Sequence, residues 1–377
     1  MTSVPGLFVN PHTGPVSAAP APDAIGVHRR LPGYAPTPLA DCATIARDLG
    51  VGQLWVKDES SRLGLPSFKI LGAAYAVYRT LAERLGGIED TWSGIGDLRS
   101  IVAPLRPFTL AAATDGNHGR AVAYMARLLE LGARIYVPAG TTAERIKAIE
   151  GEGATVEVVD GDYDAAVRRS AQDESEQCAV VSDTSWPGYE RVPGWVIDGY
   201  ATIFREVGGT LAERGDQPPD LVVIPVGVGA LAAAAVRHYR AGNDAPPRIL
   251  GVEPADAACV LASLRADDLT TVPGPHRSIM AGLNCGTPSR IAWPAVRRGL
   301  DAVVAIDDDA AREAMRALAG AGLVSGETGA AALAGLRHVL EGQQLRSAWE
   351  LGPESRVLVL STEGATDAVS YEQIVMR

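Results

Sequence analysis

Lysine is nearly missing from this chain. Of 34 basic residues only three, Lys57, Lys69 and Lys147, are lysines, and the rest are arginines. A chain that uses arginine for solvated positive charge keeps a primary amine in few places, and only a primary amine can act as a carbonyl-directed nucleophile. Each lysine is therefore either a leftover surface charge or a chemical requirement, and its context has to decide. Cysteine is equally sparse. Cys42, Cys178, Cys259 and Cys285 are too few for a secreted disulfide framework, and none forms a CxxC pair that would hold a metal. An excess of positive charge is also lacking, since 34 basic residues face 45 acidic ones for a net charge of −11. That excludes an overall basic field for nucleic acid or an anionic membrane. The longest apolar run, Leu221–Val236, is interrupted by Pro225, Gly227 and Gly229, so it reads as strand, turn and helix and not as a membrane span. The first residues have neither a basic stretch nor an apolar core, unlike a signal peptide. The expectation is a soluble, cytoplasmic protein.

What is present is an ordinary globular composition, 47% apolar and 21% charged over 377 residues, which leaves room for two domains or three. Residues 1–35 are rich in proline and small residues and read as an extended arm. After the arm, short β-rich runs alternate with helical stretches. Strands are expected at Gln53–Val56, Thr109–Ala113, Arg134–Val137, Val156–Val159, Ala179–Ser182, Leu221–Val226, Arg248–Val252, Val303–Ile306 and Val357–Leu360. Helices are expected at Arg120–Leu131, Thr142–Glu150, Tyr163–Ser175, Leu231–Ala241, Asp308–Ala319 and Ala330–Leu340. That alternation predicts an α/β protein with parallel, doubly wound sheets, and Trp186–Pro219 reads as the crossing between two domains. Ligands of such sheets bind beyond the carboxyl ends of the strands.

Three motifs fall at such places. In KDESSRLGLPSFKILGAAYA (57–76), Pro66 and Ser67 open a helix and put Lys69 at its start among Phe68, Ile70 and Leu71. The positive end of the helix dipole and apolar neighbours both disfavour an ammonium, which suits an amine that condenses with an aldehyde. In AATDGNHGRAVA (112–123), a strand runs into a turn where Gly116 and Gly119 allow close backbone approach to a ligand, with Asp115 and Asn117 directed into the crevice. In LVVIPVGVGALAAAAV (221–236), a strand leads through a glycine-rich turn into a helix, an arrangement that cradles phosphate. The same turn also imitates a dinucleotide fingerprint. Gly227, Gly229 and Ala232 satisfy G-x-G-x-x-A, and Glu253 ends a strand about 20 residues later. An amine, a polar loop and a phosphate cradle together suit pyridoxal phosphate better than a hydride carrier.

With these motifs in order, together with SGETGAAAL and STEG, the sequence resembles the tryptophan-synthase-like, fold type II enzymes that use pyridoxal phosphate. Within them it is most similar to the diaminopropionate ammonia-lyase family, from about Thr37 to Asp367. The resemblance implies two α/β domains: residues 1–68 as arm and start of the larger domain, 69–205 as the smaller one with the TDGNHG loop, and 206–377 as the rest of the larger. It implies a homodimer acting on a small amino acid, with no nucleic-acid or membrane partner. Motif by motif, it makes Lys69 the cofactor-bound lysine, packs Phe68 beside the ring and hydrogen-bonds Asn117 to the phenolic oxygen. Gly227, Val228, Gly229 and Ala230 hold the phosphate, and Thr362 offers its hydroxyl to the ring nitrogen. Asp115 stands where serine and threonine dehydratases of this fold carry Ser or Thr, and with Asp183 it forms the carboxylate set facing the substrate. The implied activity is α,β-elimination of 2,3-diaminopropionate. A serine/threonine or 3-hydroxyaspartate dehydratase, an NAD-dependent oxidoreductase and a non-catalytic amino-acid sensor stay open as alternatives. The resemblance also raises a pairing of Cys259 with Cys285, against which a reducing compartment favours free thiols.

Overall fold

The computed structural model describes residues 6–16, 22–89, 91–114, 116–241 and 245–377. They form two compact units, one of residues 6–16, 36–61 and 203–377, the other of residues 22–35 and 62–202. The strands, in chain order, are β1 (Leu7–Val9), β2 (Leu39–Asp41), β3 (Gln53–Asp58), β4 (Thr109–Ala113), β5 (Gly132–Pro138), β6 (Thr155–Val159), β7 (Cys178–Val180), β8 (Leu221–Pro225), β9 (Arg248–Pro254), β10 (Ala302–Ile306) and β11 (Arg356–Ser361).

The first unit holds a seven-stranded sheet in the order β1-β10-β9-β8-β11-β3-β2. Its five inner strands run parallel, and only the two edge strands are antiparallel. Parallel strands covered on both faces read as continuous apolar runs, and all five residues of β8 are indeed buried. The adjacent helix Glu327–Glu341 is buried along nearly its whole length and shares a core with β8, β10 and β11. The second unit has a fully parallel four-stranded sheet, β6-β5-β4-β7, with Ala111, Ala113, Tyr136 and Val180 in its core.

All nine expected strands are present, with ends shifted by a residue or two. The N-terminal stretch is less simple than an extended arm. Leu7–Val9 adds an edge strand beside β10, and residues 24–28 form a helix in the second unit. His28 anchors that helix: fully buried, it bonds Thr202 Oγ1 and the Leu71 carbonyl, each at 2.9 Å. The helix expected at Tyr163–Ser175 ends its α-helical part at Ser170 and tightens into a 3₁₀ turn over Ala171–Asp173. Such tightening is common where a helix ends. The chain passes between the units within one helix, Arg191–Arg214, which lies inside the Trp186–Pro219 stretch read as the crossing.

Candidate active site

Lys69 is the first residue of the helix Lys69–Arg84, whose next eight residues are all buried. Close packing fixes this helix start. A Cβ on Gly72 would lie 2.5 Å from the Tyr200 ring, and one on Gly199 would lie 2.5 Å from the Leu71 carbonyl oxygen. The glycine of KILGA is thus needed for helix-to-helix contact, and Phe68 packs on Tyr200 with ring centroids 4.7 Å apart. The other two lysines are accounted for. Lys57 is wholly buried in the first unit and donates to Glu206 Oε2 at 2.7 Å and to the Thr37 carbonyl at 2.8 Å, while Lys147 is exposed on a surface helix.

Lys69 does not sit among apolar side chains alone, as its sequence neighbours suggest. Its Nζ donates to Asp183 Oδ2 at 2.6 Å, and Tyr163 donates its hydroxyl to Asp183 Oδ1 at 2.8 Å. Asp183 is almost completely buried. Burial pushes its carboxyl upward, but the charges of Lys69 and His118 and the two side-chain hydrogen bonds outweigh this and hold it well below the usual carboxylate range. The amine therefore has a permanent anionic neighbour. Topology explains the meeting, because TDGNHG follows β4 and SDTSW follows β7. These strands are parallel neighbours, so both loops leave from the same edge of the sheet. Asn117 begins the helix Asn117–Leu128, and Gly116 before it has φ +150°, a conformation that favours glycine. His118 is buried with Nε2 2.8 Å from the Val181 carbonyl oxygen. Asp115 lies outside the described residues. Sequence reading missed Tyr163 and His118. The signal for His118 was its place inside TDGNHG, whereas nothing near Tyr163 marked it.

In the first unit, β8 and β11 are also parallel neighbours, so Gly227–Ala230 and Thr362 lie at one edge. The helix Ala230–Arg240 starts after Gly229, which has φ +90° and offers no side-chain cap. Its first N–H groups and the helix dipole form an anion seat. A Cβ at Gly227 would come 3.2 Å from the Gly282 carbonyl oxygen and 3.3 Å from Cys285 Sγ, so any larger residue would crowd the segment packed behind the turn. Thr362 Oγ1 is buried without a partner among the described residues, whereas the preceding Ser361 Oγ is 2.8 Å from Ser325 Oγ. An isolated buried hydroxyl is costly unless something hydrogen-bonds it, and a ring nitrogen fits that need. Each unit thus carries groups that suit pyridoxal phosphate: the second an amine at Lys69, the first an anion seat at Gly227–Ala230 and a hydroxyl at Thr362 without a partner among the described residues.

The dinucleotide alternative fails at Glu253. Its carboxyl is completely buried and turned into the start of the helix Cys259–Ala266, accepting the N–H groups of Val260 and Leu261, each at 2.8 Å. It is not free to bind a ribose. Burial pushes its pKa from 4.5 up to about 8 despite those bonds. Between these two values the folded chain keeps a proton that the unfolded chain has lost. Stability should therefore fall as pH rises through this window. The stability gap between wild type and Glu253→Gln should change by up to about 1.4 kcal/mol per pH unit from pH 5 to 8. Chemical denaturation at several pH values measures it, and parallel profiles for the two proteins would contradict it.

All four cysteines are free and buried, so the pairing of Cys259 with Cys285 is not formed here. Burial, then the charges of Glu253 and Cys285, push the Cys259 thiol far up, which makes it a poor thiolate. Alkylation of the unfolded protein without reductant should count four thiols, and a count of two would contradict this.

Comparison with known proteins agrees with the geometry. Residues 30–363 match the family described as "Pyridoxal-phosphate dependent enzyme". The diaminopropionate ammonia-lyase of Escherichia coli K12 is 37% identical over 98% of this chain and 94% of its own. A biosynthetic L-threonine dehydratase from Mycobacterium leprae is 29% identical over 98% of this chain and 77% of its own. Among solved structures, the E. coli diaminopropionate ammonia-lyase in complex with an aminoacrylate-PLP azomethine reaction intermediate superposes with a TM-score of 0.89. It is 34% identical, with coverage of 98% of this chain and 96% of the other. The chain is a member of the pyridoxal-phosphate dependent enzymes, with the fold type II architecture that its two α/β units display.

Proposed function

We propose that the chain catalyses the α,β-elimination of 2,3-diaminopropionate, with water, to pyruvate and two molecules of ammonia. The observation that carries this reading is the Lys69 amine held 2.6 Å from a buried carboxylate at the carboxyl edge of the second unit's sheet. Lys69 would hold the cofactor, Phe68 and Asn117 would contact its ring and phenolic oxygen, and Gly227, Val228, Gly229 and Ala230 would seat its phosphate. Bound pyridoxal phosphate supplies an aldehyde for the substrate amine and an electron sink for the α-carbon. The chain supplies the proton transfers. Lys69 Nζ takes the α-proton from one face and Asp115 from the other, so both enantiomers can react. Asp183 orients the Lys69 amine and balances its charge. With the α-amine given to the cofactor, the β-ammonium is the group left for a carboxylate, and Asp115 would be its partner. A hydroxyl at Thr362 in place of a carboxylate would leave the ring nitrogen of bound cofactor largely unprotonated. That weaker electron sink favours rapid elimination over transamination.

The test has two stages. The purified protein should absorb in the violet, and borohydride should remove the band and add the cofactor's mass at Lys69. D- and L-diaminopropionate, serine, threonine and 3-hydroxyaspartate are then compared for release of pyruvate or another 2-oxo acid. Preference for a hydroxy amino acid would move the protein to the dehydratases, and no turnover of any would leave it a sensor. We place the enzyme in the cytoplasm as a homodimer. Four free thiols suit a reducing compartment, and sedimentation at twice the chain mass tests the assembly.

A further inference from the structure

Two glycine-containing motifs, SGETG (325–329) and STEG (361–364), meet in the first unit, and of their residues only Thr362 takes a direct part in the chemistry above. Glu363 follows the Thr362 hydroxyl and is itself buried. Its carboxylate accepts the Thr328 N–H at 3.2 Å, and its main-chain oxygen accepts the Gly326 N–H at 3.0 Å. The approach is so close that only glycine fits. A Cβ at Gly329 would be 2.5 Å from the Glu363 carbonyl oxygen, and one at Gly326 would be 2.4 Å from that of Gly364. The end of β11 is thereby latched onto the start of the helix Glu327–Glu341. The contact continues on the other side of Thr328. Its Oγ1 accepts the Gly282 N–H at 3.2 Å, and the Gly282 carbonyl oxygen lies against Gly227, 3.2 Å from where a Cβ there would stand. One threonine therefore ties the segment carrying the Thr362 hydroxyl to the turn that seats the phosphate.

We propose that Thr328, held by Glu363, is a positioning residue that sets the spacing between the Thr362 hydroxyl and the phosphate turn. It would thereby match the spacing of these two protein contacts to one cofactor molecule. This rests on the reading of Thr362 as the hydroxyl at the ring nitrogen, so the experiment includes that residue. Neither Thr328 nor Glu363 needs to touch the cofactor. The backbone N–H of Thr328 survives substitution, whereas its Oγ1 does not. Thr328→Val keeps the shape and loses the link to Gly282, and Thr328→Ser keeps the link. Glu363→Ala loses the side-chain bond to the Thr328 N–H while the main-chain bond to Gly326 stays, and Glu363→Gln keeps an acceptor oxygen.

The full-length chain, stripped of cofactor, is titrated with pyridoxal phosphate by equilibrium dialysis, and the absorption band of the bound form is recorded with Thr362→Val alongside. Glu363→Ala should weaken binding by about 10–100-fold, the range for a lost hydrogen bond to a charged group, and Thr328→Val by about 3–10-fold, that for a neutral one. Both should move the band in the same direction as Thr362→Val. Thr328→Ser and Glu363→Gln should stay within about threefold of wild type, since each keeps the hydrogen bond in question. Wild-type affinity and band in both Thr328→Val and Glu363→Ala would overturn the inference. So would equal losses in Thr328→Val and Thr328→Ser, because the hydroxyl would then be irrelevant. An unchanged band and affinity in Thr362→Val would instead overturn the reading of Thr362, and the inference with it. Should Thr328→Val or Glu363→Ala fail to fold by circular dichroism, the comparison of Thr328→Ser and Glu363→Gln with wild type decides, and a large loss in either contradicts the proposal.

Discussion

Replacing Lys69 by alanine is expected to abolish pyruvate formation. The amine has two tasks in the proposed reaction, holding the cofactor and taking an α-proton, and an Ala side chain performs neither. A general base alone contributes about 10²–10⁴-fold, and loss of the covalent anchor comes in addition. A second effect must be separated from the first. Lys69 Nζ is a close partner of Asp183, whose other carboxylate oxygen is bonded by Tyr163. Removing the lysine leaves a buried carboxylate with less compensation, a change that costs several kcal/mol where no water can enter and less here, since Lys69 is itself 17% exposed. The depressed pKa of Asp183 signals stability that is present at neutral pH and lost on acidification. Lys69→Ala should give up part of it and melt lower near pH 7. Adding Asp183→Asn removes the stranded charge, so the double variant should regain melting temperature and still make no pyruvate. Melting curves and pyruvate assays on the wild type, both single variants and the double variant check this. Substantial turnover by Lys69→Ala would take the residue out of the mechanism.

The sheets were legible because buried parallel strands leave continuous apolar runs. Leu221–Pro225 and Arg356–Ser361 stand out in the sequence, and both are central in the first sheet. Edge strands leave a weaker trace. Leu7–Val9 and Leu39–Asp41 are three residues each and partly exposed, and neither was expected. The helix at residues 24–28 was hidden for another reason. It is short, and its place depends on His28 bonding Thr202, 174 positions away in sequence. The same contrast runs through the site. Lys69 was marked by lysine scarcity and by its helix start, while Asp183 came from family likeness and not from local pattern. What no pattern supplied was the pairing itself. Residues 69 and 183 meet only because both belong to the second unit, where the loop after β7 reaches the start of the Lys69 helix. The Glu253 fingerprint shows the converse error. Its spacing was right for a ribose ligand, but the side chain is spent on the N-terminus of the helix that starts at Cys259, just after its strand's end at Pro254.

Asp115→Asn is expected to separate the two enantiomers of diaminopropionate. Under the proposed mechanism Lys69 and Asp115 take α-protons from opposite faces, so each serves one enantiomer. The amide keeps the size and much of the hydrogen bonding of the carboxylate but cannot accept a proton. The enantiomer that depends on Asp115 should lose turnover by about 10²–10⁴-fold, the usual contribution of a general base. The resemblance to the diaminopropionate lyases points to the D-isomer. The other enantiomer still has Lys69 and should lose only the contact between the carboxylate and the β-ammonium, about 1.5–3 kcal/mol for a hydrogen bond between charged groups. That loss falls on kcat/KM, because the contact helps to bind the substrate, whereas loss of the base lowers kcat as well. Steady-state kinetics of both isomers with the variant therefore give two numbers whose ratio matters more than either. Equal losses would reduce Asp115 to a positioning role. Unchanged activity on both isomers with a large gain in serine dehydration would place the chain with the dehydratases, whose Ser or Thr at this position the variant would then be imitating in charge.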